Sequence, residues 1–344
     1  MKTLLLVAPC SPHTDNFLKI AKEIFREIVL ITDNSPGVKY DNVIVETINY
    51  RTINPLKILR KIKYIQKIIR RYKPDIIHLL EITRLAWLVV RSNKKDKVPV
   101  VATPWGSDVL LMPKKNLLYR FLVYDTLKKV DYLTADTPLI IEEAKKMVSV
   151  KKCKVIFFPV ECVENEKMAK EKIVYSNRLH YPLYNIDRVI RYFADWVKSD
   201  ESNAWRLVIA ATGSETESLK KLSENLGIEK YVTFTGWNGK EENLSWYRRS
   251  SVYISIPSSD GTSVSVLEAL YHQCKVILSD LPANRYLEKI GCKVIFEEEN
   301  TNPFSKLRYI TDDDLQKNKN IIEKYASFDN IKRTWQETYQ ELKA

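Results

Sequence analysis

Residues 257–270, PSSDGTSVSVLEAL, set two carboxylates, Asp260 and Glu268, eight positions apart around a Gly-Thr-Ser turn. The preceding VYISIP reads as a strand, 257–262 as the loop at its carboxyl end, and a helix begins near Ser263. A helix start offers free N–H groups and the positive end of the helix dipole, an arrangement suited to phosphate. Gly261 lets backbone come close to a ligand. Asp260 and Glu268 stand too far apart to share one proton, but well enough spaced to grip two parts of one extended ligand. The plainer alternative makes Asp260 a helix-capping residue and Glu268 a solvated charge. Val264, Val266, Leu267, Ala269 and Leu270 surround Glu268 with apolar side chains and weaken that alternative for it.

Such a loop needs a sheet to hold it. Short apolar runs alternate with helical patterns along most of the chain. TLLLVA, IVLIT, VIVET, DIIHLL, VPVVATPW, YLTADT and KVIFFPV read as strands in the first half. KIVYSN, RLVIAAT, YVTFTG, VYISIP, CKVILSD and CKVIFEE do so in the second. Helical segments are expected at 15–27, 54–72, 83–93, 117–129 and 138–147, then near 185–199, 215–226, 241–249, 263–272 and 283–289. Continuously apolar strands alternating with helices imply parallel sheets covered on both faces. Two such series predict two Rossmann-like domains, at 1–160 and 173–328, joined by a linker at 161–172 where apolar periodicity gives way to charge. A last helix, with Trp335 and Tyr339 four apart, is expected over 329–344 and to pack back toward the first domain. Ligands of such sheets bind at the carboxyl ends of the strands, so two facing domains would form a cleft there.

The 344 residues carry a net charge of +12, of which residues 1–170 contribute +13 and residues 171–344 contribute −1. Residues 51–73, RTINPLKILRKIKYIQKIIRRYK, hold nine Lys or Arg and no acid. Ile58, Ile62, Ile65 and Ile69 recur at helical spacing, which predicts an amphipathic helix with a basic outer face. Two uses of that face stay open at this level: a solvated surface, or attachment to anionic lipid headgroups or a pyrophosphate-bearing acceptor. Nucleic acid is disfavoured, because no recognition motif or aromatic stacking pattern accompanies the charge. No apolar run approaches the ~20 residues of a membrane span, and the opening MKTLLLVAPC reads as a first strand rather than a secretory segment. Cys10, Cys153, Cys162, Cys274 and Cys292 lack paired metal spacing, and their odd number argues against a disulfide framework. A reducing cytoplasm is the natural setting.

The motif Asp260-x7-Glu268, with Leu267-Glu268-Ala269-Leu270 and the following VILSDLPANRYL, resembles the E-x7-E region of glycosyltransferase family 4. SPHT at 11–14, KPDIIHLLE, TPWGSDVLL, NRLHYPLYNIDRVIRYF, GIEKYVTFTGW and the terminal helix follow in family order, so the resemblance covers nearly the whole chain. It implies the GT-B fold, two Rossmann-like α/β domains with parallel sheets facing across a cleft. It also implies a retaining, metal-independent transferase that moves a sugar from a nucleoside-diphosphate sugar to a saccharide, with no other cofactor and a UDP-sugar favoured.

Carried over residue by residue, the resemblance implies that Glu268 binds the nucleotide ribose and that Asp260 touches donor-sugar hydroxyls. Gly261, Thr262 and Ser263 would offer N–H groups to diphosphate or sugar, and Arg178 would neutralise the leaving diphosphate. Gly213, Val232 and Gly236 would complete the donor side, the strand from Val232 to Gly236 lying near the base. Ser11 and His13 would stand on the loop facing donor and acceptor, and Asp108 on the acceptor side. With the basic face of 51–73, these features point to a lipid-linked saccharide acceptor at the inner membrane surface and to assembly of a bacterial surface polysaccharide. A soluble acceptor and a catalytically idle family member remain as alternatives. The chain departs from the pattern at three places. Asp260 stands where Glu is usual, no Lys or Arg lies between Arg178 and Arg188, and Gln273 replaces the customary glycine after the Glu268 helix.

Overall fold

The computed structural model describes residues 1–34, 40–162, 169–199 and 205–342, so part of the expected linker, 163–168, lies outside the described residues. The chain divides into two compact units, Met1–Pro159 with Phe328–Ala344, and Val160–Ser327.

Unit 1 is a seven-stranded parallel sheet of β1 (Thr3–Val7), β2 (Glu27–Thr32), β3 (Val43–Thr47), β4 (Ile76–Leu80), β5 (Val100–Thr103), β6 (Tyr132–Ala135) and β7 (Lys152–Val155). Its order is β3-β2-β1-β4-β5-β6-β7. β1, β4, β5 and β6 are buried along their whole length, as strands covered on both faces must be. The helices Pro55–Tyr72, Arg84–Ser92, Leu117–Leu127 and Pro138–Met147 lay their buried faces on one side of this sheet in a single apolar cluster. On unit 1 also sits the terminal helix Phe328–Glu341. Its Tyr339 hydroxyl meets His78 Nδ1 at 2.7 Å, while His78 Nε2 meets Thr103 Oγ1 at 2.7 Å. Full burial drives the His78 pKa down to about 3, so the imidazole is neutral and structural.

Unit 2 is a six-stranded parallel sheet of β8 (Glu171–Ser176), β9 (Arg206–Ala210), β10 (Val232–Gly236), β11 (Ser250–Ser255), β12 (Lys275–Leu278) and β13 (Ile295–Phe296), ordered β10-β9-β8-β11-β12-β13. Strand order reverses between β1 and β4 in unit 1 and between β8 and β11 in unit 2. At such a reversal the loops leave in opposite directions and open a crevice beyond the carboxyl ends.

The expected elements are present with shifted ends, the KVIFFPV run yielding a strand at Lys152–Val155, and short helices at Ser107–Leu110 and Met112–Lys115 are added. The first helix runs over Pro12–Ile24 rather than 15–27, because Ser11 caps it through Thr14 N–H and Pro12 occupies its first turn. The helix Asp312–Ala326 was not anticipated, although Thr311 and Asp314 form a reciprocal capping box at its start. Gln273 takes φ 58°, the left-handed conformation that a glycine would adopt without steric cost.

Candidate functional site

The switch point of unit 2 brings together residues far apart in sequence. Arg178 lies just past β8 and Asp260 in the loop past β11. Because those strands are neighbours, Arg178 Nη2 reaches Asp260 Oδ2 at 2.5 Å, and Nη1 donates to Ser263 Oγ at 2.5 Å. The guanidinium lies over the Tyr184 ring, 4.7 Å from its centroid. The Arg178 side chain is 11% exposed, and its Nε is buried without a partner among the described residues. Burial opposes the guanidinium charge; Asp260, with Tyr253 and Tyr184, more than offsets this and leaves the pKa raised. The site is thus a buried permanent cation with one donor direction unsatisfied.

Asp260 also accepts from Gly261 N–H at 3.0 Å. Ser263 occupies the N-cap of the helix Val264–Tyr271 without making a side-chain cap, and its hydroxyl serves Arg178 instead. Thr262 is buried beside it. The HYPLYN stretch, which carries no cation, supplies the Tyr184 ring. It also ties the β8 loop to the β11 loop, since Asn185 Nδ2 donates to Ile256 O at 2.8 Å and Ser258 N–H to Leu183 O at 2.8 Å. Arg188, the next cation, is engaged by Glu297.

Beneath Arg178 runs a polar network that sequence reasoning missed. Asn177 Nδ2 donates to Tyr247 Oη at 2.8 Å, Tyr253 Oη to Asn177 Oδ1 at 2.8 Å, and Tyr175 Oη to Asn243 Oδ1 at 2.6 Å. Tyr175, Tyr247 and Tyr253 are fully buried. Glu268 interacts with the Tyr247 hydroxyl, so the second carboxylate adjoins the network one residue from Arg178. Burial raises the Glu268 pKa to about 7, against the lowering effects of Tyr247 and Lys240. Tyrosines inside strands look like ordinary core residues in sequence; only the meeting of β8, β11 and the helix Lys240–Arg249 makes them a platform.

The remaining donor-side candidates stand one strand away. Gly213 packs its backbone on His180, where an added Cβ would lie 2.3 Å from the His180 carbonyl oxygen. That contact is a structural reason for glycine at 213. It holds the loop past β9 against the buried His180 of the β8 loop, with Glu215 N–H donating to His180 O at 3.0 Å. Val232 and Gly236 bound the edge strand β10, separated from β8 by β9, and Gly236 O accepts Ala211 N–H at 2.6 Å.

In unit 1 the candidates divide. Ser11 is consumed as a helix cap, accepting from Thr14 N–H at 3.3 Å. His13 reaches solvent within the first helical turn, its ring 4.9 Å from Phe158 and 5.3 Å from Trp105. Partial desolvation lowers its pKa and favours the neutral imidazole. The Nε1 of Trp105 is buried without a partner. Asp108 is turned inward. It is 2% exposed, and its carboxylate accepts from the N–H groups of Ile82 (2.7 Å), Trp105 (3.1 Å) and Gly106 (2.9 Å). It clamps the loop past β4 to the loop past β5. Beside it stands Glu81, which the sequence reading did not single out. It sits past the end of β4 with φ 73°, half-buried, its carboxylate without a hydrogen-bond partner among the described residues. Burial first, then Asp108 and Asp33, raise its pKa to about 7. An acid held on uncommon backbone at a switch point has the marks of a ligand-binding residue.

Among the described residues no group of His, Cys, Asp and Glu side chains is arranged to hold a metal ion, and no helix is long and apolar enough to cross a membrane. Two family models cover the two units: Glycosyl transferase 4-like over residues 2–137 and Glycosyl transferases group 1 over residues 162–327. The chain belongs to the glycosyltransferases of the GT-B fold and family 4 type. It is 26% identical over 241 residues to the alpha-monoglucosyldiacylglycerol synthase of Streptococcus pneumoniae, a match covering 63% of this chain. The chain spans about half, 54%, of the length of that synthase. Among solved structures it resembles Anabaena HepE, determined with UDP and with UDP-glucose. The UDP complex matches with TM-score 0.79 at 12% identity, over 99% of this chain and 100% of that one. It likewise resembles the lipopolysaccharide outer core galactosyltransferase WaaB, with TM-score 0.75 at 14% identity and both chains covered completely. At these identities the likeness is one of fold.

Proposed function

We propose that this chain is a retaining, metal-independent glycosyltransferase that moves a sugar from a nucleoside-diphosphate sugar, a UDP-sugar favoured, to a hydroxyl of a lipid-linked saccharide. The observation that carries the reading is Arg178: a buried cation with an unsatisfied Nε, fixed by Asp260, Ser263 and Tyr184 beside an uncapped helix start. As the bond from the anomeric carbon to the diphosphate oxygen breaks, its electron pair stays on that oxygen. Arg178 neutralises the new charge. The acceptor oxygen bonds to the anomeric carbon, and its proton passes to the departing phosphate. A fixed donor aimed at developing charge is worth about 10²–10³ in rate. Glu268 receives the ribose hydroxyls, Asp260 the donor sugar, and the Gly261–Ser263 backbone the diphosphate. Gly213 and the strand from Val232 to Gly236 flank the nucleotide. In unit 1, Glu81 and His13 meet the acceptor.

The UDP complexes of the Anabaena protein support the choice of donor base. The glycolipid named by the streptococcal relative, and the basic helix Pro55–Tyr72, support a lipid acceptor met at the inner face of a cell membrane in surface-polysaccharide assembly. Calorimetry with UDP, GDP, ADP and CMP, on wild type, Arg178→Ala and Glu268→Ala, tests the reading. One nucleotide should bind saturably and lose affinity in both variants. Binding of none would instead favour an idle family member that serves as a binding partner.

A further inference from the structure

An apolar surface interrupts the basic face of unit 1. Among the described residues, the large exposed apolar side chains concentrate at the starts of two helices. Ile53 (84% exposed), Leu56 and Leu59 begin the helix Pro55–Tyr72. Leu117 (81%), Leu118 and Phe121 begin the helix Leu117–Leu127. The Pro55–Tyr72 helix buries only Ile65, Ile68 and Ile69, toward its far end. The second helix buries Leu122, Val123, Thr126 and Leu127, so its first-turn leucines face outward. A surface helix ordinarily gives that face to polar residues.

The two helices flank a third. The helix Arg84–Ser92 lies between them, bonded to one through Ser92 Oγ and Ile62 O at 3.1 Å and to the other through Trp87 Nε1 and Asp125 at 2.7 Å. Tyr119, in the second of the flanking helices, feels the charge of Tyr50, just before the first, and both tyrosines feel that of Glu81. The apolar side chains therefore rim the carboxyl end of β4. Their charged companions are all cations: residues 51–73 hold nine and no acid, and 109–124 hold Lys114, Lys115 and Arg120 with no acid.

We propose that this rim inserts into the interfacial layer of a bilayer containing anionic lipid, so that unit 1 is held by apolar insertion as well as by charge and takes its acceptor from the membrane beside Glu81. The charge pattern selects the occupant. A second copy of this chain, related by a two-fold axis, would set cations against cations across the same patch. Anionic headgroups neutralise them while the acyl boundary receives the leucines and Phe121. The inference rests on the peripheral-membrane part of the proposed function and adds to it a second, uncharged anchor.

Sedimentation of the full chain with phosphatidylglycerol–phosphatidylethanolamine vesicles, over a range of salt, tests both parts separately. Wild type should bind at low salt and keep a bound fraction at physiological salt, where headgroup attraction is screened. L117S/L118S/F121S should lose that salt-resistant fraction, with partitioning about 10-fold weaker or more, while retaining low-salt recruitment and its melting temperature. K61E/K63E/R70E/R71E should do the reverse, losing low-salt recruitment first. In a chain otherwise native, F121W should show quenching by brominated acyl chains beyond that of wild type. Equal partitioning of L117S/L118S/F121S and wild type at physiological salt, or no added quenching in F121W, overturns the inserted rim while leaving charge-based attachment standing. Dimerisation of wild type that the serine variant abolishes, with vesicle binding unchanged, assigns the patch to a second copy and equally overturns it. If wild type ignores anionic vesicles altogether, the membrane part of the proposed function fails with it.

Discussion

The carboxyl ends of the two sheets hold their acids in opposite ways. In unit 2, Asp260 is locked to Arg178 and Glu268 to Tyr247, above a buried lattice of tyrosine and asparagine drawn from several elements. In unit 1, Asp108 is spent on three backbone N–H groups, and beside it, on left-handed backbone, Glu81 keeps a carboxylate with no partner among the described residues. The first arrangement is preorganised, which suits the proposed role of meeting the charge of a leaving diphosphate without rearranging. The second leaves one half-buried acid open and surrounds it with an exposed apolar and cationic rim. A site of that kind suits a bulky acceptor whose hydroxyl is presented from outside. Both units use the same topology, so the difference comes from which side chains the loops export.

The sharpest way to break this contrast is to remove the cation that organises unit 2. Arg178→Ala should lower kcat/KM for the donor by about 10²–10³. Arg178→Lys should recover only part of this, because an ammonium cannot reproduce the fork that spans Asp260 and Ser263. Wild-type activity in Arg178→Ala would dissolve the preorganised site altogether.

Glu268→Gln should separate the stability of unit 2 from its function. A carboxyl whose folded pKa is raised to about 7 contributes most to stability when protonated, and that contribution is lost as pH rises through 7. The variant should therefore be more stable than wild type at pH 8, by on the order of 3 kcal/mol, and equal to it near pH 4. Its affinity for nucleotide should fall even as its melting temperature at pH 8 rises. Parallel melting curves at both pH values would show that the burial of Glu268 carries no such cost.

Gly213→Ala probes how the unit 2 loops are held. Its Cβ would press on the His180 backbone, so a loss of about 1–3 kcal/mol is expected in thermal melts. An unchanged melt accompanied by weaker nucleotide binding would return Gly213 to a ligand-facing role. For unit 1, Glu81→Gln should cost about 10-fold in acceptor kcat/KM, roughly one good hydrogen bond. At saturating donor, the wild-type acceptor profile should fall below pH 7 as Glu81 protonates, and the variant should lack that limb. A variant that keeps the limb would leave Glu81 as a structural acid. The smallest effect belongs to Gln273→Gly, which relieves the left-handed strain but enlarges the entropy of the unfolded chain. Its gain should stay below about 1 kcal/mol in denaturant melts.

Much of the fold was legible because most strands are short, largely apolar runs and helix starts announce themselves. Asn54 precedes Pro55, Thr137 precedes Pro138, and Asn116 caps the helix Leu117–Leu127. Boundaries slipped where a cap was misplaced, as at Ser11, whose capping moved the first helix three residues earlier. Glu268 could be singled out because an acid among apolar neighbours is locally anomalous. Glu81 could not: the run DIIHLLE ends like any strand, and its acid acquires a raised pKa only from burial and from Asp108 and Asp33, which belong to other loops. Asp108 lies between these cases: a Gly-Ser-Asp loop suggests a local cap, but gives no sign that Ile82, from another loop, will also claim the carboxylate.

By itself the amino-acid sequence determined two α/β units, the basic first half, the helix that carries Glu268 and the candidate pair of acids. These are consequences of local periodicity and composition, which act over a few residues. Only the tertiary structure decided that Arg178 is bonded to Asp260, that Tyr247 joins Glu268 to Asn177, and that Asp108 faces inward while Glu81 stays open. Those outcomes depend on the order of strands within each sheet. β8 and β11 are neighbours although two strands separate them along the chain, and no local pattern records which strands will lie side by side.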